Sequence, residues 1–278
     1  MSGPMSGSGA LVLSIDVGVG ALGSPAGVLA SLLEMLGERK LHASWFLPEA
    51  AFVRDGGQPR AAALLEAIAA RPDQDVGVRV DGRGLLGEPG RFAIELGSTV
   101  ADARAAGWPP RSLGFVDDVY ARRWPRLAGQ HGLVAYRARR PGLVHAPSLT
   151  GLGRQLRAAW QTADDYSLVV PDGARILARP QGGLLAVPTS RELRAYDPRA
   201  GKLERLRVQR FQSEMIHAAE HGRVYHLRLE PAALDAHAHE NLVVLDVLLR
   251  TAVSLRSQQD FASYNLAELA ELAAGSTR

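Results

Sequence analysis

The chain has 278 residues, of which 46% are hydrophobic and 22% charged, a composition typical of a globular protein rather than a disordered one. It has no cysteine, which excludes disulfide bonds and thiolate metal sites. The net charge is +3, but the basic residues are nearly all arginines scattered among 29 acidic residues, which argues against a dedicated nucleic-acid surface. The chain begins without the basic and apolar regions of a signal peptide. No apolar run is long enough to span a membrane, so we expect a cytoplasmic protein.

The first half of the chain alternates short apolar runs with amphipathic stretches, the pattern of strands and helices in turn. A proline suited to a first helical turn opens several of the amphipathic stretches. The predicted strands cover 10–15, 42–47, 75–80, 113–116 and 133–136, and the predicted helices cover 25–39, 59–70, 89–106 and 119–130.

The second half of the chain begins with an irregular region and then returns to the same alternation. Glycine and proline recur between 138 and 182, where we predict one helix near 152–161. Predicted strands then cover 183–187, 223–229 and a short stretch near Phe261, and predicted helices cover 202–221, 239–257 and 265–273.

This alternation indicates an α/β protein with a parallel sheet and crossover helices. Seven or eight such units favour an irregular (β/α) barrel over an open sheet. We predict one domain over 10–274, preceded by a disordered tail over 1–9. Chemistry in barrels gathers at the carboxyl ends of the strands. The candidate site residues are therefore those that follow the apolar runs, beginning with Asp16 at the end of the first predicted strand.

Five segments of the chain, in the order in which they occur, resemble segments of the polysaccharide deacetylase family, which includes chitooligosaccharide and peptidoglycan deacetylases. They are SIDVG (14–18), HASWFLPEA (42–50), DVGVRVDGR (75–83), LLAVPTSRELR (184–194) and VYHLRLEPAALDAHAHENL (224–242). The last two resemble a branch acting in surface-sugar pathways. The resemblance implies the irregular barrel of that family.

The family mechanism uses an Asp as base on a water, a second Asp and two His as ligands of a divalent metal, and a later His as acid. By position, the base corresponds to Asp16 and the later His to Glu230, which makes these two the candidate catalytic residues. The second Asp corresponds to Val17, and the metal-binding His correspond to Arg79 and Arg83.

These replacements remove the metal ligands that the family uses. A guanidinium is always charged and has no lone pair to give a metal. No histidine lies between His42 and His131, so shifting the alignment does not restore the pair. We therefore expect no metal and no other cofactor, and we expect metal-dependent deacetylation to be lost.

Arg79 and Arg83 leave two interpretations open. They could bind the carboxylate or phosphate of an acidic sugar, a sugar phosphate or a nucleotide sugar, since guanidinium groups bind such anions through paired hydrogen bonds. Alternatively, they pair with Asp16, Asp81 or Glu230.

Further candidates for substrate binding lie at other predicted strand ends. His226 and Arg228 share one face of their strand with Glu230, because alternate residues of a strand point the same way. His226 is alternatively a hydrogen-bonded residue of the barrel interior. The remaining candidates are Ser190, Asp117 and Asp118.

The segment DAHAHEN (235–241) suggests metal ligands by composition, but two histidines two positions apart do not share a helical face. We interpret this segment as a surface loop.

Three functions remain open. The first is a sugar-binding or assembly partner in surface-glycan metabolism that has lost metal-dependent deacetylation. The second is a metal-independent hydrolase of an amide bond in an acidic or phosphorylated sugar, in which Asp16 or Glu230 does the acid–base work and Arg79 and Arg83 stabilise the oxyanion. The third is a structural partner whose pocket is filled by ion pairs. Either of the first two functions requires a carbohydrate or sugar-phosphate ligand.

Overall fold

Short strands and longer helices alternate along the chain in a computed structural model that describes residues 9–23, 25–116, 120, 123–138, 179–181 and 183–275. The strands are β1 (Ala10–Asp16), β2 (Ala43–Pro48), β3 (Arg54–Asp55), β4 (Gln58–Pro59), β5 (Gln74–Val80), β6 (Ser112–Phe115), β7 (Ala135–Ala138), β8 (Arg179–Gln181), β9 (Leu184–Pro188), β10 (Arg191–Leu193), β11 (Val224–Leu229) and β12 (Ala262–Tyr264). The α-helices are α1 (Gly27–Arg39), α2 (Ala62–Ala69), α3 (Pro89–Ala105), α4 (Trp124–Gly129), α5 (Leu203–Glu220), α6 (Pro231–Leu234), α7 (Ala238–Gln259) and α8 (Leu266–Gly275).

Ten of these strands form one curled sheet in the order β10-β11-β1-β2-β5-β6-β7-β9-β8, with β12 paired to β1. All of its pairs are parallel except β8 with β9. One edge of β1 is shared, because Ala10–Val12 pairs with β12 and Ser14–Asp16 pairs with β2. The helices between the strands are the crossover connections that a parallel sheet requires. The predicted α/β class and irregular barrel are confirmed.

Polar groups of β11 and of the β9–β10 connection bring the two sides of the curled sheet together. The Ser190 backbone N–H donates to the His226 carbonyl at 2.8 Å, and the Ser190 hydroxyl accepts from the His226 backbone N–H at 2.9 Å. The His226 ring nitrogen Nδ1 lies 3.2 Å from the Val187 carbonyl. These contacts close the barrel-like curl.

Apolar side chains fill the space between sheet and helices, and a second apolar cluster lies inside the curl. The inner cluster includes Val12, Phe46 and Val187, together with Leu266 and Leu269 from α8. Helix α8 begins just after β12, which pairs with the first residues of β1, and so covers the amino end of the barrel. The carboxyl ends of the strands are left to form the opposite rim.

The structure corrects the predicted boundaries and adds short elements. The antiparallel pair β3–β4 and the three-residue strands β8 and β10 were not predicted. Of the helix predicted over 119–130, the structure describes α4, which begins at Trp124. The helix predicted near 152–161 lies outside the described residues. None of the described helices has the length and hydropathy needed to cross a bilayer.

Candidate functional site

Asp16 is the last residue of β1 and is completely buried. Both of its carboxylate oxygens accept hydrogen bonds from Arg137, which follows Tyr136 in β7. The distances are 2.7 Å from Nη1 to Oδ1 and 3.0 Å from Nη2 to Oδ2. This is the paired geometry in which a guanidinium fork holds a carboxylate most strongly.

Arg228 of β11 binds the same carboxylate from the other side. Its Nε donates to Asp16 Oδ2 at 2.8 Å, and its Nη2 lies 2.7 Å from that oxygen. Arg137 is held by further contacts, since Nη2 donates to the Phe115 carbonyl at 2.9 Å and the guanidinium lies 5.1 Å from the centre of the Phe46 ring. The three side chains form a cluster that we call the arginine clamp: Asp16, Arg137 and Arg228.

The arginine clamp keeps Asp16 ionised. Burial by itself raises the pKa of the Asp16 carboxyl, but the charges of Arg137 and Arg228 outweigh burial and hold the pKa below its usual range. Arg79 adds a smaller contribution in the same direction. The result is a carboxylate that stays charged and accepts hydrogen bonds from arginine at both oxygens, which makes it a poor proton acceptor.

Arg79 lies at the end of β5, on the same rim, and is held much less tightly. Its Nη1 donates to the Val17 carbonyl at 3.2 Å, and its Nη2 lies 3.7 Å from Glu230 Oε1. Its Nε has no hydrogen-bond partner among the described residues. The side chain is 12% exposed and that of Glu230 is 33% exposed. Arg79 therefore reaches the solvent-facing side of the site with most of its donors unused by the residues that the structure describes.

The residues around Asp16 do not fit a metal ion. In the described part of the chain, its charged partners are the guanidinium groups of Arg137 and Arg228, with that of Arg79 nearby. Guanidinium groups donate hydrogen bonds and cannot coordinate a cation. Val17, at the position of the family's metal-binding Asp, is a buried apolar residue.

His226 lies inside the barrel. Its Nε2 is 2.9 Å from the Ser14 hydroxyl, and Ser190 binds its backbone rather than facing the rim. Burial, with the nearby charge of Arg137, lowers the pKa of His226 to about 3. The ring is therefore neutral at ordinary pH and joins strands rather than exchanging protons.

The other predicted site residues are placed as follows. Arg83 begins a short 3-10 turn after β5. Asp117 and Asp118 lie outside the described residues. The interpretation of the DAHAHEN segment as a surface loop is wrong, since Asp235–His237 forms a 3-10 turn and the remaining residues begin α7. Asp235 accepts a hydrogen bond from the Val28 backbone N–H of α1 at 3.0 Å, and the ring of His237 lies 5.9 Å from that of Tyr196.

Sequence analysis assigned no role to Arg137, although it donates to both oxygens of Asp16. The available signal was its place directly after a predicted strand, over 133–136, at the carboxyl end where site residues gather. The pairing partner lies 121 positions away in the chain, so spacing alone did not join the two residues.

Comparison with known proteins identifies structures that share this fold. No family model and no curated protein matches the chain. Many solved structures resemble it, among them the following three. A crystal structure from Mycobacterium smegmatis, assigned to the polysaccharide deacetylases, has a TM-score of 0.64 at 14% identity and covers 100% of this chain and 94% of its own. The α-amylase AmyC from Thermotoga maritima has a TM-score of 0.60 at 8% identity, with coverages of 95% and 74%.

The third structure is a mutant of BA3943, described as a pseudoenzyme of carbohydrate esterase family 4 with restored enzymatic activity. Its TM-score is 0.50 at 12% identity, and the match covers 95% of this chain and 68% of the other. At such identities the likeness concerns the backbone and not the chemistry. The ordered segments found in the sequence and this backbone likeness agree: the chain has a divergent polysaccharide deacetylase fold.

Proposed function

We propose that this protein binds an acidic or phosphorylated sugar at the carboxyl rim of the barrel, without metal-dependent deacetylation, and serves surface-glycan metabolism as a sugar-binding or assembly partner. The observation that carries the proposal is the arginine clamp. Both oxygens of Asp16 accept hydrogen bonds from buried arginines, and the lowered pKa of its carboxyl makes the residue in the position of the family's base a weak proton acceptor.

Arg79 supports the ligand-binding half of the proposal. A guanidinium has five N–H donors, and Arg79 makes one hydrogen bond, of 3.2 Å, with the described residues. Its ion pair with Glu230 is longer than a hydrogen bond. An anionic group of a sugar would offer it shorter, charge-assisted bonds.

Thr189 offers a second polar group at the same rim. It directly follows β9, and its backbone N–H donates to the Ala138 carbonyl beside Arg137 at 3.1 Å. Its hydroxyl is buried and has no hydrogen-bond partner among the described residues. A hydroxyl and a guanidinium with unused hydrogen-bonding capacity suit a ligand that carries both hydroxyl and anionic groups, as an acidic sugar does.

The names of two proteins of similar structure support this class of ligand. The Mycobacterium smegmatis protein is assigned to the polysaccharide deacetylases, and BA3943 is described as a pseudoenzyme of a carbohydrate esterase family. On these names, carbohydrate is the class of ligand that we propose for this chain.

The test is calorimetric titration with glucuronic acid, N-acetylglucosamine 1-phosphate and neutral N-acetylglucosamine. We expect at least one of the anionic sugars to bind and the neutral sugar to bind far more weakly. Arg79→Gln should weaken anionic binding by about tenfold or more, since a hydrogen bond to a charged group contributes roughly 1.5–3 kcal/mol. The matched control is Arg91→Gln, which removes an exposed arginine of α3 and should leave binding unchanged.

Equal affinity for neutral and anionic sugars, or an Arg79→Gln variant that binds like the unmodified protein, would refute the proposal. An acetate-release assay on the acetylated sugars distinguishes sugar binding alone from the alternative, a metal-independent hydrolase. Turnover in metal-free buffer that Glu230→Gln abolishes would instead establish a metal-independent hydrolase. Absence of binding by every sugar tested would favour a purely structural partner.

A further inference from the structure

We propose that His217, Glu220 and His221, at the carboxyl end of α5, form a surface site for a divalent transition metal ion of the zinc class. This cluster lies on the outside of the barrel and is independent of the arginine clamp. Each of the three side chains offers one ligand atom, and these atoms all lie within 4.8 Å of one another. Two imidazoles and a carboxylate are ligands that Zn²⁺ prefers.

The helix places the two histidines on one face. Residues four apart on an α-helix are neighbours, and the rings of His217 and His221 are 4.0 Å apart between centres. Two ligands of one Zn²⁺ ion lie roughly 3.3 Å apart, given Zn–N distances near 2.0 Å. His221 and Glu220 are exposed and His217 is half-buried, so small rotations of the side chains can close the remaining distance.

The hydrogen bonds of the rings leave lone pairs on the outward nitrogens. His221 Nδ1 lies 2.8 Å from the His217 carbonyl. A carbonyl can only accept, so Nδ1 carries the proton and the neutral ring has its lone pair on Nε2. Metal-binding histidines commonly donate their second ring N–H to a backbone carbonyl in this way.

Arg223 would compete with a metal ion for the lone pair of His217 Nε2. Its Nη1 lies 3.2 Å from His217 Nε2. Because a guanidinium can only donate, His217 Nε2 is the acceptor and holds a lone pair. A metal ion would take that lone pair in place of Arg223. Two opposing effects therefore act on the ion, the positive charge of Arg223 and the partial negative charge of the last carbonyl groups of α5.

The proposed site also has a structural consequence. Helix α5 ends at Glu220 and turns through Gly222 into β11, the strand that carries His226 and Arg228. Gly222 has a φ of +61°, a conformation that glycine adopts with little strain. An ion held by the last helical turn would restrain the segment that leads into this strand, and should therefore raise the melting temperature.

The experiment is calorimetric titration of untagged, chelator-treated protein with ZnCl₂, with MgCl₂ and CaCl₂ as hard-cation comparisons. We expect one equivalent of Zn²⁺ to bind and neither comparison ion to compete. His221→Ala and His217→Ala should each weaken Zn²⁺ binding by at least about tenfold, since even the loss of outer-shell partners costs 10–100-fold. Arg223→Gln should strengthen binding, because it removes the competing cation.

His239→Ala is the matched control, because it removes an exposed histidine on another helix. Its Zn²⁺ affinity should equal that of the unmodified protein. Melting temperatures without metal show whether each variant is folded, and His217→Gln replaces His217→Ala if the latter is not. Absence of Zn²⁺ binding, or binding that neither His217 nor His221 substitution weakens, would overturn the proposal.

Discussion

At the scale of single residues, the arginine clamp holds a charged group that could not be buried alone. Removing an isolated carboxylate from water is very costly, and it is tolerated where paired hydrogen bonds replace the lost solvent. Asp16 has that replacement in two guanidinium groups. The same contacts that stabilise the carboxylate lower its affinity for the proton that a general base would accept.

Asp16→Asn tests how much the arginine clamp contributes to stability. The variant removes the carboxylate charge that Arg137 and Arg228 share, although Arg228 Nη1 also lies 3.6 Å from Glu192 Oε2. Breaking a buried ion pair by removing one partner typically costs about 3–5 kcal/mol. We expect a loss of that size in the free energy of unfolding measured with urea at pH 7. Because the pKa of Asp16 is lowered in the folded protein, its contribution is complete above about pH 3.8 and is lost as the pH falls through its folded pKa.

The control for that measurement is Glu95→Gln. Glu95 also binds an arginine, Arg91, at 2.8 Å, but both side chains are largely exposed. Exposed pairs contribute about 0–1 kcal/mol. A loss for Asp16→Asn no larger than the loss for Glu95→Gln would show that the clamp does not stabilise the fold.

The ion-pair partner of Asp16 is the feature that the sequence predicted least well. The position of Asp16 was predictable because it ends an apolar run, but its partner was not. Arg137 and Asp16 meet because parallel strands β1 and β7 bring their carboxyl ends to the same rim. Before the strand order is known, every arginine at the end of a predicted strand is a possible partner, including Arg79, Arg137 and Arg228.

At the scale of elements, the sequence predicted most of the strands and helices. The helix expected over 25–39 is α1, and the strand expected over 75–80 is β5. Both elements are long enough for their apolar residues to show a helical or strand period. Strands β8 and β10 have three residues each, which is too short for a pattern. Strand β10 exists because β11 pairs with it, and such a long-range cause leaves no local signal.

Two glycines show how closely the strands pack inside the barrel. A Cβ added to Gly114 of β6 would lie 2.8 Å from the Phe46 ring, and one added to Gly77 of β5 would lie 2.7 Å from the same ring. The ring also contacts Arg137. The absence of side chains at these two positions is what gives Phe46 room beside the arginine clamp.

Gly114→Ala should therefore destabilise the protein. Overpacking of a filled core typically costs about 1–3 kcal/mol, and we expect a loss in that range by urea unfolding. The matched control is Gly90→Ala in α3, where an added Cβ meets no atom within 4 Å. Alanine favours helix over glycine by up to about 1 kcal/mol, so the control should be unchanged or more stable. Equal effects of the two substitutions would contradict the packing argument.

In the molecule as a whole, the two ends of the barrel differ in structure. The carboxyl rim carries the polar groups of the proposed ligand site, whereas the amino end is covered by β12 and α8. Polar contacts fix this cover. The Leu266 backbone N–H donates to the Ser44 hydroxyl at 2.9 Å, and the His42 ring nitrogen Nδ1 lies 2.7 Å from Glu268 Oε2.

His42 makes the attachment of this cover dependent on pH. The hydrogen bond to Glu268 raises the pKa of His42, against the opposing effect of partial burial. Asp73, whose carboxylate lies 3.7 Å from Nε2, raises it further, and Arg256 lowers it. A histidine with a raised folded pKa adds stability that is complete below about pH 6.5 and is lost as the pH rises through the folded value.

His42→Gln should remove that dependence. We expect the unmodified protein to exceed the variant in free energy of unfolding by about 1 kcal/mol at pH 6, a size suited to a partly exposed charged pair, and by less at pH 9. Hydrogen exchange should show the same trend in the amides of α8, because the contact joins that helix to the residue that precedes β2. His239→Gln, which changes an exposed histidine outside this contact, should give a difference that does not vary between the two pH values. A difference for His42→Gln that stays constant from pH 6 to pH 9 would show that its charge does not hold α8 against the barrel.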